Sequence, residues 1–365
     1  MRILHFINNI DLSWYNMLAD TARAQQQRGH DVIIVVPPGG SNYKRLVKDG
    51  LPAKPLAVRS SKFDYLAAWQ LSRMIRREKV DVLHAHLTSS ALLGSAAARW
   101  AGIPCVASVL KLTKKRRYMR CDFLLPFSGA VRDDLLSQGV PEDRMRLVYT
   151  GMDFNRFFSG CHAGDNAREE FGFEPSHRVI GSIARLVPMK GHTYLVAAVP
   201  HVMKKYPEAR FLLVGDGPLR AELVAQAAAL GVERFITFPG TRLDLQRILA
   251  TVDLVAMASV DKEGLPMILV ESALMRKPIV MTDVAGIREM ITDGKTGYLV
   301  PPKNPEALAA AICEALEKPD EAKRRAAAAE ERVRLAFDVR ETTRIMDEVY
   351  KSLLRKTRAD EHRND

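Results

Sequence analysis

Short β-branched and apolar runs alternate along the chain with longer stretches in which apolar positions recur every three or four residues. In the first half, RILHFI (2–7), DVIIVV (31–36), AKPLAV (53–58), DVLHAH (81–86), IPCVASV (103–109), DFLLPF (122–127) and MRLVY (145–149) predict strands. Helical periodicity fills intervals such as 14–28 and 65–78. The pattern lapses over 151–176, where Gly, Asp and Asn interrupt any period, and this segment reads as a linker. It then restarts with RVIGSIA (178–184), RFLLV (210–214), RFITF (234–238), DLVAM (253–257), PIVMT (278–282) and YLV (298–300). From Pro305 to about Arg355 the pattern is helical, and the polar end, TRADEHRND, is expected to fray. Strand–helix alternation of this kind predicts α/β architecture, with a parallel sheet covered on both faces in each half.

Length agrees with two units, since 365 residues exceed one ordinary core. Apolar content of 47% and charged content of 27% belong to a soluble globular chain. No apolar run is long enough to span a bilayer, and MRILHFINNI reads as a buried strand, not a secretory signal. Four scattered cysteines without a CxxC pair argue against structural zinc or a disulfide framework and fit a reducing cytoplasm. The net charge of +11 predicts attraction to phosphates, nucleic acid or an anionic membrane. Part of that charge is local: KLTKKRRYMR carries Lys111, Lys114, Lys115, Arg116, Arg117 and Arg120. Taken alone, such a run reads first as a solvated loop, and a nucleic-acid role lacks interleaved stacking aromatics beyond Tyr118.

Ligands of open parallel sheets sit beyond the carboxyl ends of the strands, so residues at strand exits carry the chemistry. GSIARLVPMKG (181–191) sets Arg185 and Lys190 in one short loop. Two cations there suit a diphosphate, or simply form a charged surface before a helix. LLVGDGP contains only a GxG turn, not a dinucleotide fingerprint. EGLPMILVE follows the strand exit DLVAMAS; Gly264 and Pro266 form a turn whose free amides open the next helix, an anion-binding arrangement. Glu263 precedes that helix, and Glu271 lies on it among apolar neighbours, where a carboxylate needs a partner such as vicinal hydroxyls. His84 and His86 share a face at the end of DVLHAH. With no third ligand evident, metal binding gives way to polar contact with a substrate through His86, or to a structural role, above all for His84.

Taken together, DKEGLPMILVESALMRKPIVMTDVAGIREMITDGKTGYLVPP, ARLVPMKGH and SGAVRDDLLSQGVPEDRMRLVYTGMDFNRF resemble the retaining glycosyltransferases of family 4, most specifically through E-x7-E at Glu263 and Glu271. The resemblance implies the GT-B fold, two Rossmann-like doubly wound domains facing across a cleft. It gives an acceptor-binding domain over 1–160, a nucleotide-sugar domain over 161–337, and a final helix with a polar tail, 338–365, returning to the first domain. It further implies that Arg185 and Lys190 bind the donor diphosphate, and that Glu263 and backbone amides of Gly264, Leu265, Met267 and Ile268 surround sugar and phosphate. Glu271 would take the ribose hydroxyls, Gly240 and Arg242 would lie beside the nucleobase, and His86 near the transferred sugar.

The same resemblance implies transfer of a sugar, with retained configuration, from a UDP- or GDP-linked donor to a glycan or glycolipid hydroxyl. The setting would be lipopolysaccharide or other envelope polysaccharide synthesis, without a cofactor or divalent metal and without nucleic acid. Two places depart from the family pattern. A glycine pair is replaced in the first loop by Asp11, Leu12 and Ser13, and the segment after 103–109 is the short basic run. Lys111, Lys114, Lys115, Arg116 and Arg117 are therefore expected to meet a phosphorylated acceptor or an anionic membrane. The expected location is cytoplasmic, including the inner face of the cytoplasmic membrane. A 2-epimerase-like isomerase and a non-catalytic binding protein remain alternatives.

Overall fold

The computed structural model describes residues 1–10, 15–59, 64–159, 164–261 and 263–364, with side chains through residue 357. The first-loop positions Asp11, Leu12 and Ser13, and Cys161, lie outside the described residues. The chain divides into two compact units: 1–153 together with 337–365, and 154–336.

The first unit holds β1 (Arg2–Ile7), α1 (Tyr15–Gln27), β2 (Asp31–Val36), α2 (Ser41–Lys48), β3 (Ala53–Pro55), α3 (Tyr65–Arg77), β4 (Val82–His86), α4 (Leu87–Ala101), β5 (Cys105–Val109), β6 (Phe123–Pro126) and α5 (Gly129–Ser137). Its six strands are all parallel, in the order β3-β2-β1-β4-β5-β6. Period two divides the interior strands between two buried faces. Leu4, Phe6, Leu83 and Ala85 pack with Leu71 and Ile75 of α3, while Ile3, Val82, Val106 and Leu125 pack on the other face. That second face is covered partly by the last helix of the chain, through Met346, Val349 and Tyr350. Local signals set the helix starts: Asp64 accepts from the Ala67 amide at 2.9 Å, and Ser128 from the Val131 amide at 3.2 Å.

The second unit begins with α6 (Phe154–Ser159) and continues through β7 (Arg178–Ile183), α7 (His192–Lys205), β8 (Ala209–Val214), α8 (Arg220–Ala229), β9 (Ile236–Gly240), α9 (Leu245–Thr251), β10 (Leu254–Met257), α10 (Met267–Leu274), β11 (Ile279–Thr282), β12 (Tyr298–Val300), α11 (Pro305–Glu317) and α12 (Pro319–Ala336). Its strands are again parallel, ordered β12-β11-β10-β7-β8-β9. The final helix, α13 (Val339–Asn364), belongs to the first unit and takes in residues 357–364 of the polar end expected to fray.

Three expectations need correction. The division falls before Phe154, not near 160, because α6 is held by the second unit: Gln246 donates to the Phe157 carbonyl at 3.2 Å and Arg334 lies over the Phe154 and Phe158 rings. Residues 145–149 do not form a strand. Arg146 and Val148 donate to the carbonyls of Leu124 and Pro126, but Pro126 has no N–H with which to return a bond, so only a single bridge forms. β3 stops at Pro55, opposite the last residue of β2, and so lacks a partner over 56–58.

Candidate active site

In the second unit the strand order reverses between β7 and β10, with β8 and β9 on one side and β11 and β12 on the other. Such a switch point opens a crevice at the carboxyl ends of the strands, because the two connections leave in opposite directions. Lys190 arrives from the β7 side and Glu263 from the β10 side. Across the crevice the Lys190 ammonium donates to both Glu263 oxygens, at 2.8 and 2.7 Å. The pair is well shielded, with side-chain exposures of 14% and 5%, which places it among costly but strongly coupled ion pairs. Ser259, fully buried at the β10 exit, donates its hydroxyl to Glu263 at 2.5 Å, and Thr282 at the β11 exit donates to the Ser259 carbonyl at 2.5 Å. Neither Ser259 nor Thr282 was among the residues singled out from sequence, although both are polar residues at the ends of apolar strands.

Backbone contacts join the strand exits in the same succession as the strands. Gly215 donates to the Gly240 carbonyl at 2.9 Å, Leu186 to Asp216 at 2.9 Å, and Val260 to Met189 at 3.0 Å. Glycine is required at these approaches. A methyl group on Gly215 would stand 2.0 Å from the Ala184 carbonyl oxygen, and one on Gly286 would stand 1.7 Å from that of Gly264. The GxG turn, uninformative as a motif, thus supports the loop carrying Arg185, and Gly286 supports the turn carrying Glu263.

Arg185 is exposed, and its side chain has no ion pair or hydrogen bond among the described residues. α10 starts at Met267, after Pro266 and without a side-chain cap, and its first amides, at Met267 and Ile268, have no acceptor among the described residues. A diphosphate at this end would meet free N–H groups, the positive end of the helix dipole and the Lys190 ammonium held on Glu263. Gly264 and Leu265 are half-buried in the turn between. Glu271, on α10, has no partner for its carboxylate among the described residues, and burial raises its carboxyl to about 7. His192, next to Gly191, is buried, and neither ring nitrogen has a partner among the described residues. Burial, then the nearby Lys190 cation, lowers its imidazole to about 4, so the ring is neutral.

Arg242 does not stand free beside Gly240. It donates to Asp244 at 2.8 and 2.6 Å, pairs with Glu170, and stacks on Phe171. These carboxylates hold its guanidinium firmly charged.

In the first unit the strand order reverses between β1 and β4, and here His86 departs from expectation. Instead of standing open to a substrate it is 1% exposed. Its ring stacks on His84 and His5 at 4.4 and 5.1 Å, because His5 and His84 are register partners on adjacent strands. The third histidine missed by sequence is therefore His5, and the ligand atoms of the three lie within 4.8 Å of one another. Most of these nitrogens are already engaged. His5 bonds His86 at 2.8 Å and Gln25 at 2.7 Å, while His84 bonds Tyr350 at 2.6 Å and Ser108 at 2.7 Å. Only Nδ1 of His86 is unpartnered. Burial lowers all three imidazoles, so the cluster is neutral.

The basic run forms the β5–β6 connection itself, with a single 3-10 turn at Lys115–Arg117. Tyr118 anchors it, buried, with its hydroxyl 3.1 Å from that of Thr88, and so is withdrawn from stacking on any ligand. Lys111, Lys114, Arg116 and Arg117 are exposed and Lys115 half-buried; none of the five side chains has an ion-pair partner among the described residues. Cys105, Cys121 and Cys313 are free, buried thiols.

Two family models match the chain: Glycosyltransferase Family 4 over residues 16–156 and Glycosyl transferases group 1 over 177–318. Among curated relatives, an Escherichia coli UDP-Gal:alpha-D-GlcNAc-diphosphoundecaprenol alpha-1,3-galactosyltransferase is 23% identical, over 63% of this chain and 65% of its own. A GDP-mannose-dependent alpha-(1-6)-phosphatidylinositol monomannoside mannosyltransferase of Mycolicibacterium smegmatis is 29% identical, over 63% of this chain and 60% of its own. The alignments thus span less than two thirds of those relatives' lengths. Anabaena HepE, solved in complex with UDP and glucose, superposes with a TM-score of 0.85 at 21% identity, covering 97% of this chain and all of the other. The chain belongs to family 4 of the glycosyltransferases and has their GT-B fold.

Proposed function

We propose that the protein transfers a sugar from a nucleotide diphosphate donor to a hydroxyl of a glycan or glycolipid, with retention of configuration. The observation that carries this reading is the Lys190–Glu263 pair at the switch point, with an uncapped helix start after Glu263 and the exposed Arg185 in the loop that carries Lys190. The similarity to proteins named for UDP-galactose and GDP-mannose supports a UDP- or GDP-linked donor.

The Lys190 ammonium gives two of its three N–H donors to Glu263, leaving one for a phosphate oxygen. Arg185 supplies a second cation. Charge grows on the diphosphate as the sugar–phosphate bond breaks, so fixed cations stabilise the transition state more than the bound donor. Glu263, already accepting from Lys190 and Ser259, retains acceptor capacity for a sugar hydroxyl. Glu271 takes the ribose hydroxyls. The acceptor attacks from the side the nucleotide leaves, and the departing phosphate takes its proton. No divalent metal enters this scheme.

A panel of UDP- and GDP-sugars, scored for binding, slow hydrolysis and transfer, tests the assignment. Conversion of the donor to its epimer without an acceptor would assign an isomerase, and failure to bind any nucleotide would leave a binding protein. Envelope polysaccharide or lipopolysaccharide synthesis at the inner face of the cytoplasmic membrane is part of the same proposal. It is supported by the exposed, unpaired cations of the β5–β6 connection. No helix among the described residues is long and apolar enough to cross a membrane. Equal pelleting with anionic vesicles by the wild type and a chain neutralised at Lys114, Lys115, Arg116 and Arg117 would remove the membrane role from this run.

A further inference from the structure

A surface cavity of about 470 Å³ lies in the first unit, at the amino ends of β5 and β6. Residues 102–104, which lead into β5, form part of its wall, as does Asp122, which leads into β6. The cavity is therefore at the opposite end of the sheet from the carboxyl edge where ligands of such folds sit.

Four cations converge on it: Arg99 from the last turn of α4, Arg120 from the end of the basic run, Arg144 from the turn after α5, and Lys356 from α13. Arg99, Arg120 and Lys356 are exposed, and their side chains have no ion-pair or hydrogen-bond partner among the described residues. The cluster of Arg242 and Arg247 differs, being interleaved with the carboxylates of Glu170 and Asp244. Arg144 is half-buried and fixed, donating Nη2 to the Cys121 carbonyl at 2.6 Å, and its Nη1 and Nε carry no bond to a described residue. The one carboxylate in the wall, Asp122, is turned to structural use, accepting the Cys105 amide at 2.7 Å. The helix dipole rationalises Arg99 at the end of α4. It does not rationalise three further cations brought there from two loops and another helix.

Unpaired like charges around a concavity repel unless an anion bridges them, and guanidinium groups match phosphate oxygens in bidentate geometry. We propose that this cavity is an anion site for a phosphate-bearing ligand, separate from the donor site and formed entirely by the first unit. Pro104 and Leu353 give the wall an apolar component, which suits a phosphate carried on an organic group.

The test uses the full chain with inorganic pyrophosphate followed by calorimetry. Three variants are compared with the wild type: Arg99→Ala/Arg120→Ala/Lys356→Ala; Arg185→Ala, which perturbs the donor loop only; and Lys44→Ala/Lys48→Ala/Lys323→Ala, which removes the same charge from exposed positions elsewhere. The cavity variant is expected to bind at least about tenfold more weakly at one of two sites, with Arg185→Ala affecting the other site and the charge control affecting neither. All three variants alter exposed side chains, and matching thermal unfolding would confirm intact folding. In a second arm, vesicles of equal phosphatidylglycerol and phosphatidylcholine are pelleted with each chain. Loss of pelleting in the cavity variant alone identifies a lipid headgroup as the phosphate source. Unchanged pelleting alongside weakened pyrophosphate binding identifies a soluble phosphate compound. Wild-type affinity of the cavity variant in both arms, or equal losses in the charge control, would overturn the site.

Discussion

Glu271 is the residue whose environment makes the sharpest demand. Its carboxyl is raised from 4.5 to about 7 by burial, with no partner among the described residues. That displacement corresponds to a penalty of about 3 kcal/mol on the charged form. Below the unfolded value both states are protonated and stability is complete. As pH rises from 4.5 toward 7 the unfolded chain ionises first, so stability falls, and above 7 the loss is constant. Glu271→Gln, neutral at every pH, is therefore expected to raise unfolding free energy by about 2–3 kcal/mol near pH 8 and to change little below pH 4. Donor binding has the opposite dependence. Hydroxyl groups that donate to the carboxylate favour its charged form, so binding releases a proton. Only about a tenth of the carboxyl is ionised near pH 6, so donor affinity is expected to rise about tenfold between pH 6 and pH 8. Calorimetry in buffers of different ionisation enthalpy counts the proton directly, and urea denaturation across pH follows stability. Donor affinity that is flat with pH in the wild type, or that keeps its slope in Glu271→Gln, would refute the assignment of Glu271 to the donor hydroxyls.

Three further outcomes follow from the same geometry. Lys190→Met leaves Glu263 buried with Ser259 as its remaining partner, and is expected to cost about 3 kcal/mol of stability; a double-mutant cycle with Glu263→Gln, read by urea denaturation, should recover part of that loss. Gly286→Ala pushes a methyl group into the Gly264 carbonyl, and is expected to cost more than about 2 kcal/mol while weakening nucleotide binding in a thermal-shift assay. Tyr350→Phe leaves Nδ1 of His84 without its partner beneath α13; a loss of about 1–2 kcal/mol should appear in the first unit's unfolding transition, with donor affinity unchanged.

The alternation of apolar runs made the two parallel sheets legible because every interior strand is buried on both faces and carries its own signal. Residues 145–149 show the limit of that signal. They are as apolar as a strand, but pairing depends on what the neighbour can donate, and Pro126 donates nothing. Likewise His84 and His86 were visible as a period-two pair, whereas His5, 81 positions before His86, joins them only through strand order and register. No local pattern contains that information.

The donor loops show the same division between what is local and what is not. Arg185, Lys190, Glu263 and Glu271 could be read from sequence because each follows a strand or sits on the next helix. Their separate tasks, phosphate for Lys190 and sugar for Glu263, came from the family resemblance, which assigns each residue by itself. The switch point joins them into one ion pair, and neighbouring exits fix it from both sides. Replacing either residue therefore alters the other's charge environment. A loss of activity at one position alone cannot assign phosphate or sugar contact to it. Conservative changes divide the roles: Lys190→Arg keeps the charge but alters the ammonium geometry, while Glu263→Gln keeps the shape and removes the charge. If Glu263 does no more than orient Lys190, restoring a cation to the phosphate should restore turnover with Gln still at position 263. If it also holds the sugar, turnover should stay low at unchanged donor affinity.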